Sequence, residues 1–188
     1  KSMKNLSLSL LSLLFIFSCS ENDSYSARVL NADTENESWL LHGRTYDESR
    51  FSPLKDINDS NVAGLGLAWS FETGTNRGHE TTPIVVDGMM FISAPWSVVF
   101  ALNPITGEKI WSFDPQADKA WARNACCDVV NRGVAVWEDQ VIIATIDGRL
   151  ISLNKNSGEV NWDVLTIDKS KPYTITGAPR IIDGKIII

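Results

Sequence analysis

The chain has 188 residues, a formal charge of −6, 44% hydrophobic and 21% charged residues, which suits one sizeable domain and is too apolar for a disordered chain. Three Cys and two His exclude a disulfide-stapled miniprotein and a Cys/His zinc finger. The acidic balance excludes a basic surface for a phosphate backbone, so no nucleic-acid partner is expected.

Residues 1–19 open with two Lys, continue as an apolar run from Leu6 to Phe17 broken only by Ser, and end at Cys19. The run is too short to span a bilayer as a mature helix. It resembles a bacterial export signal, and Ile16-Phe17-Ser18-Cys19 is similar to a lipobox, where cleavage leaves Cys19 as a lipidated N-terminus. This predicts a periplasmic protein anchored to a membrane through lipid. The polar stretch 20–37 is expected to be a flexible tether, and residues 38–188 the domain. With Cys19 set aside, Cys126 and Cys127 stand side by side in a compartment where disulfides persist. They pair with each other or with another molecule.

Self-comparison finds a repeat. A constant offset of 51 residues carries Asp87-Gly88-Met89-Met90-Phe91-Ile92 onto Glu138-Asp139-Gln140-Val141-Ile142-Ile143, Thr106-Gly107-Glu108 onto Ser157-Gly158-Glu159, and Trp111 onto Trp162. A third unit starts at Ala178-Pro179-Arg180, and an earlier partial one ends at Leu67-Ala68-Trp69-Ser70-Phe71. Each unit reads as short β-branched runs separated by Asp-Gly, Glu-Asp or Thr/Ser-Gly-Glu turns. The pattern predicts strands over 84–87, 90–94, 98–102, 109–113, 133–137, 141–145, 149–153 and 160–164, with Trp111 and Trp162 docked alike. Four short antiparallel strands per repeat, with no sustained helical period, point to an all-β protein of β-propeller type. Because the last unit breaks off inside an apolar strand, the chain is expected to be the N-terminal part of a longer propeller.

Several segments narrow this further. Trp39-Leu40-Leu41-His42-Gly43 with Arg50-Phe51-Ser52-Pro53-Leu54, then Gly78-His79-Glu80-Thr81-Thr82-Pro83 and Pro95-Trp96-Ser97, and above all Cys126-Cys127-Asp128-Val129-Val130-Asn131-Arg132-Gly133, resemble the quinoprotein alcohol dehydrogenases, which use pyrroloquinoline quinone. The resemblance covers 38–188 and implies an eight-bladed propeller. It also implies a Cys126–Cys127 disulfide against one face of the quinone with a Trp on the other, and cofactor-contacting roles for Glu80, Arg132 and Thr176. The chemistry agrees: the quinone carries three carboxylates, a guanidinium pairs with such groups bidentately, and a Thr hydroxyl can donate to them. Arg132 lies in an apolar stretch and is expected to be buried. The family further implies alcohol oxidation to an aldehyde by hydride transfer, electrons passed to a cytochrome c, and a calcium or lanthanide ion. Its ligands, like the catalytic base, are expected downstream of Ile188, so neither a catalytic nor a metal-binding residue is assigned in this chain.

Two rivals share the repeat. A non-catalytic propeller lipoprotein scaffold of outer-membrane barrel assembly has no use for the adjacent cysteines or for Arg132. A quinoprotein sugar or polyol dehydrogenase generally lacks the adjacent cysteines. Asp56-Ile57-Asn58-Asp59-Ser60 begins like a calcium loop, but Leu67 stands where its bidentate Glu should be, so a turn is expected there. His42 and His79 lack companions at metal spacing.

Overall fold

The computed structural model describes residues 25–188; the export signal and Cys19 lie outside them. Two four-stranded antiparallel sheets follow one another in simple meander order. The first is β1 (Ile84–Val86), β2 (Met89–Ala94), β3 (Val98–Leu102) and β4 (Lys109–Phe113). The second is β5 (Ala135–Trp137), β6 (Gln140–Ala144), β7 (Arg149–Asn154) and β8 (Val160–Leu165). A hairpin of β9 (Arg180–Ile182) and β10 (Lys185–Ile187) begins a third. All eight strands expected from the repeat are present, two with the expected ends and six with ends displaced by one or two residues.

The repeat extends to details that sequence periodicity does not encode. The register shifts at Ala101/Leu102 in one sheet and at Ser152/Leu153 in the next, which are equivalent places. Asn103 Oδ1 accepts the amides of Ile105 and Thr106, and Asn154 Oδ1 accepts those of Asn156 and Ser157, so the Asn builds the turn ahead of the Gly-Glu pair. Trp111 faces Ala101 across the strands as Trp162 faces Ser152. The indole N–H of Trp69 donates to Pro104 O at 3.1 Å and that of Trp111 to Lys155 O at 3.0 Å. Each Trp thus closes one unit onto the turn of the following one.

The turn residue beneath each ring must be glycine. Gly107 and Gly158 both have φ of +73°, and a Cβ there would fall 2.5 Å from the ring of Trp69 and 2.7 Å from that of Trp111. An L side chain would meet both the left-handed backbone penalty and the indole.

The main core lies between the first two sheets. Ile84, Val86, Phe91, Val99, Ala101 and Trp111 meet Val134, Val136, Val141, Ile143, Ile151 and Leu153. The far face of the second sheet (Ala135, Ile142, Ala144, Leu150) packs on Ile181 of β9, and that of the first (Ala94, Phe100, Leu102) on Phe71. Strands buried on both faces read as near-continuous apolar runs, which is why these do.

Of the tether expected over 20–37, the part from Tyr25 onward needs correction, residues 20–24 lying outside the described ones. Tyr25–Leu30 forms a helix, α1, followed by a 3₁₀ turn at Ala32–Thr34. Tyr25, Val29 and Ala32 are at most 3% exposed; Tyr25 and Val29 join the main core, with Tyr25 Oη donating to Leu40 O. Polar composition hid three apolar residues at i, i+4 and i+7, the spacing of one helix face. Arg28 bonds Glu35 and Asp87, and Lys155 reaches the other oxygen of Asp87. The start of the domain is therefore tied to both sheets. The stretch 56–60 is a turn as expected, with Asn58 Oδ1 accepting the Ser60 amide.

Candidate functional site

The segments leading into β1, β5 and β9 lie side by side and bond in series. Thr82 N donates to Arg132 O at 3.2 Å, and Arg132 N to Thr176 O at 3.0 Å. This places one residue from each of three successive units at a common spot. Arg132 Nη2 pairs with Glu80 Oε2 at 2.8 Å, and Nη1 donates to Thr176 Oγ1 at 2.7 Å. Three of the sequence-derived residues therefore form one cluster, although they are separated by more than forty positions in the chain. Thr176 Oγ1 accepts from the guanidinium, which leaves its own hydroxyl proton free to donate.

Arg132 is not buried as expected. Its side chain is 41% exposed, as is that of Glu80. The apolar residues beside it in the chain, Val130, Val134 and Ala135, are buried, while the guanidinium reaches Glu80 and Thr176 at a partly exposed spot.

Cys126 and Cys127 are disulfide-bonded to each other, with Cα atoms 3.8 Å apart. Both are exposed. They follow a 3₁₀ helix, Lys119–Asn124, capped by Asp118 Oδ1 on the Ala120 amide, and precede the segment Asp128–Arg132 that carries the guanidinium. Asp128 pairs with Arg77. Trp96 N–H donates to Val129 O at 2.9 Å, and Lys119 Nζ lies 3.9 Å above the Trp96 ring. Trp96 and Ser97 have φ of +66° and +62°, uncommon for such residues and a mark of a backbone held by its surroundings.

Asn131 is the residue that sequence reasoning passed over. It is 2% exposed. Its Nδ2 donates to Ala144 O at 2.9 Å and Ser97 Oγ at 3.2 Å, and its Oδ1 accepts from Gly133 N at 3.1 Å. Its backbone O accepts from Ser93 Oγ. A buried amide with its hydrogen-bonding groups used on both sides fixes the chain direction, and it does so immediately before Arg132. A polar Asn inside the apolar run Val129–Val134 was the available signal. On the other side of Arg132, Gly133 has φ of +132° and would place a Cβ 3.2 Å from Thr82 O, so a side chain there would crowd the ladder that carries the cluster.

The lone histidines take no part. His79 Nε2 bonds Thr73 Oγ1 at 2.7 Å. His42 is held below the usual imidazole range by burial and by Arg180 and Arg50. Among the described residues no group of three or more His, Cys, Asp or Glu could hold a metal ion.

Pyrroloquinoline quinone is flat and carries three carboxylates. The donor set fits such a group: a reachable guanidinium, a hydroxyl with a free proton, and an exposed adjacent disulfide as an apolar plate.

Residues 39–188 match the beta-propeller domain described as glucose/ethanol/alcohol dehydrogenase, PQQ. The quinohemoprotein alcohol dehydrogenase ADH-IIG of Pseudomonas putida is 52% identical over 163 residues, 86% of this chain and 23% of that protein. The 1-butanol dehydrogenase (cytochrome c) of Thauera butanivorans is 50% identical over 151 residues, 80% of this chain and 22% of that protein. The solved structure of quinohemoprotein alcohol dehydrogenase ADHIIG from Pseudomonas putida HK5 superposes with a TM-score of 0.83 at 52% identity, covering 85% of this chain and 24% of that one. The chain spans about a quarter of the length of these relatives. With matching strands, an adjacent disulfide and this degree of identity, the chain belongs to the family of PQQ-dependent glucose/ethanol/alcohol dehydrogenase β-propellers.

Proposed function

We propose that this chain supplies one wall of the cofactor site of an exported quinoprotein alcohol dehydrogenase. The observation that carries the reading is the Glu80–Arg132–Thr176 cluster, assembled from three successive units, with Arg132 on the segment that also bears the Cys126–Cys127 disulfide. Arg132 would hold a carboxylate of pyrroloquinoline quinone, Thr176 would donate its free hydroxyl proton, and Glu80 would orient the guanidinium. The disulfide would lie against the ring and exclude water from that face. Bound there, the quinone supplies the acceptor for the hydride of the alcohol carbon, assisted by a calcium or lanthanide ion acting as a Lewis acid.

The whole enzyme would oxidise an alcohol to an aldehyde and pass electrons to a cytochrome c, an acceptor supported by the name of the Thauera relative. Export to the periplasm and lipidation at Cys19 rest on the composition of residues 1–19. The test uses the full-length protein loaded with pyrroloquinoline quinone and calcium, with 1-butanol as substrate and cytochrome c reduction as readout. Reduction that requires both quinone and alcohol is expected; quinone-independent reduction, or none with any primary alcohol, overturns the reading. Palmitate labelling of full-length protein, lost in Cys19→Ala, tests the anchor; equal labelling of both overturns it.

A further inference from the structure

The loop that carries the disulfide is fixed at its root by a polar network outside the cluster described above. The turn between β6 and β7, Thr145-Ile146-Asp147-Gly148, reaches under it. Asp147 is 4% exposed, and its carboxylate accepts from Thr145 Oγ1 at 2.5 Å, from the amide of Asp118 at 3.2 Å and from Arg149 Nε at 3.3 Å. The same guanidinium donates through Nη2 to Pro115 O at 2.6 Å and through Nη1 to Asp163 Oδ2 at 2.7 Å. The two side chains thus grip the backbone at Pro115 and at Asp118, the bend from which the helix leading to Cys126 starts. Ile146 packs against Ala117 before the loop and Val129 after it.

The preceding unit does not share this arrangement. At an offset of 51, Asp147 corresponds to Trp96 and Arg149 to Val98, so the preceding unit has neither charge at these positions. Trp96 serves the other root of the loop through its bond to Val129 O. Equivalent turns in successive units have diverged to grip the two ends of one disulfide-bearing segment.

We propose that Asp147 and Arg149 are positioning residues for the Cys126–Cys127 disulfide, holding its loop in place from below without touching the sulfurs. The inference rests on the disulfide itself and not on the cofactor reading, so each can fail without the other. A carboxylate–guanidinium pair that bonds main chain at two points resists local opening, and a disulfide on a loop freed at one root is attacked more readily by external thiols.

The experiment measures the rate at which dithiothreitol opens the disulfide in folded full-length protein, read by alkylation of Cys126 and Cys127 and mass spectrometry. Arg149→Gln is compared with wild type and with Leu153→Ala, a core variant that tests whether general destabilisation is enough. Loss of charge-assisted bonds at the loop root is expected to speed reduction about tenfold in Arg149→Gln, with Leu153→Ala near the wild-type rate and Arg149→Lys partly restoring protection. A wild-type rate in Arg149→Gln, or equal acceleration in Leu153→Ala, overturns the proposal. Should Arg149→Gln not accumulate as folded protein, Asp147→Asn is judged by the same two criteria.

Discussion

Arg132 holds Thr176 twice, through a main-chain bond of 3.0 Å from its amide to Thr176 O and a side-chain bond of 2.7 Å to Thr176 Oγ1. The first is part of the ladder between units, and the second belongs to the site. Thr176→Val separates them, because it keeps the backbone and removes only the hydroxyl. With a guanidinium this exposed, the substitution is expected to cost less than about 1 kcal/mol of stability. Quinone affinity of the full-length protein should fall about fivefold to tenfold. Thermal unfolding and equilibrium titration with the quinone check the two halves.

Asn131 gives the opposite balance. Asn131→Ala leaves Ala144 O, Ser97 Oγ and Gly133 N without their partner in a buried place. A loss of roughly 2–4 kcal/mol is expected, together with weaker quinone binding because Arg132 loses its fixed origin. Denaturant unfolding of full-length protein measures the first effect, and unchanged stability would remove Asn131 from its assigned role.

Gly158→Ala tests the closure between units. The methyl group would sit at positive φ and 2.7 Å from the Trp111 ring, so a destabilisation of at least about 2 kcal/mol is expected. Gly88→Ala, also at positive φ but with nothing within 4 Å of its Cβ, should cost only the backbone part, about 1 kcal/mol. The difference in melting temperature between the two variants isolates the contact with the indole.

Acid should loosen the start of the domain. Burial acts to raise the Asp87 carboxyl, but its bonds to Lys155 and Arg28 outweigh this and hold it below the usual carboxylate range; Arg28 does the same for Glu35. A folded-state value below the unfolded one gives stability that is present above the unfolded pKa and lost as pH falls through the folded one. Hydrogen exchange in Tyr25–Leu30 is expected to accelerate as pH drops below about 4, after correction for intrinsic rates. In Arg28→Met it should be faster at neutral pH and less sensitive to acid.

What could be read from the sequence follows the range over which each signal acts. Strands β1–β8 announce themselves because short apolar runs, the turns between them and the Trp repeat are local and occur twice. The adjacent cysteines needed no structure to be noticed. That Glu80, Arg132 and Thr176 share one site was legible only through the family resemblance; the direct ion pair of Glu80 with Arg132 was out of reach, since only the stacking of units brings those segments together. So was the exposure of Arg132, because the apolar character of neighbours along a strand does not tell on which side a long polar head emerges. Helix α1 was readable in part: Tyr25, Val29 and Ala32 keep helical spacing, but six residues in a polar stretch give too short a pattern to stand out. Asp147 and Arg149 become visible where the two units, superposed at 51 residues, stop resembling each other.

If the proposed anchoring and electron transfer hold, the burial of Tyr25 has a consequence for how the protein would meet an acceptor. Tyr25 is held in the core, and six residue steps separate it from Cys19, a reach of about 20 Å at full extension. With a lipid on Cys19, the propeller could not sample the width of its compartment; it would ride close against one leaflet with α1 on the near side. Its search for an acceptor would then be lateral diffusion in two dimensions, favouring a partner that shares the same membrane surface over one free in the volume.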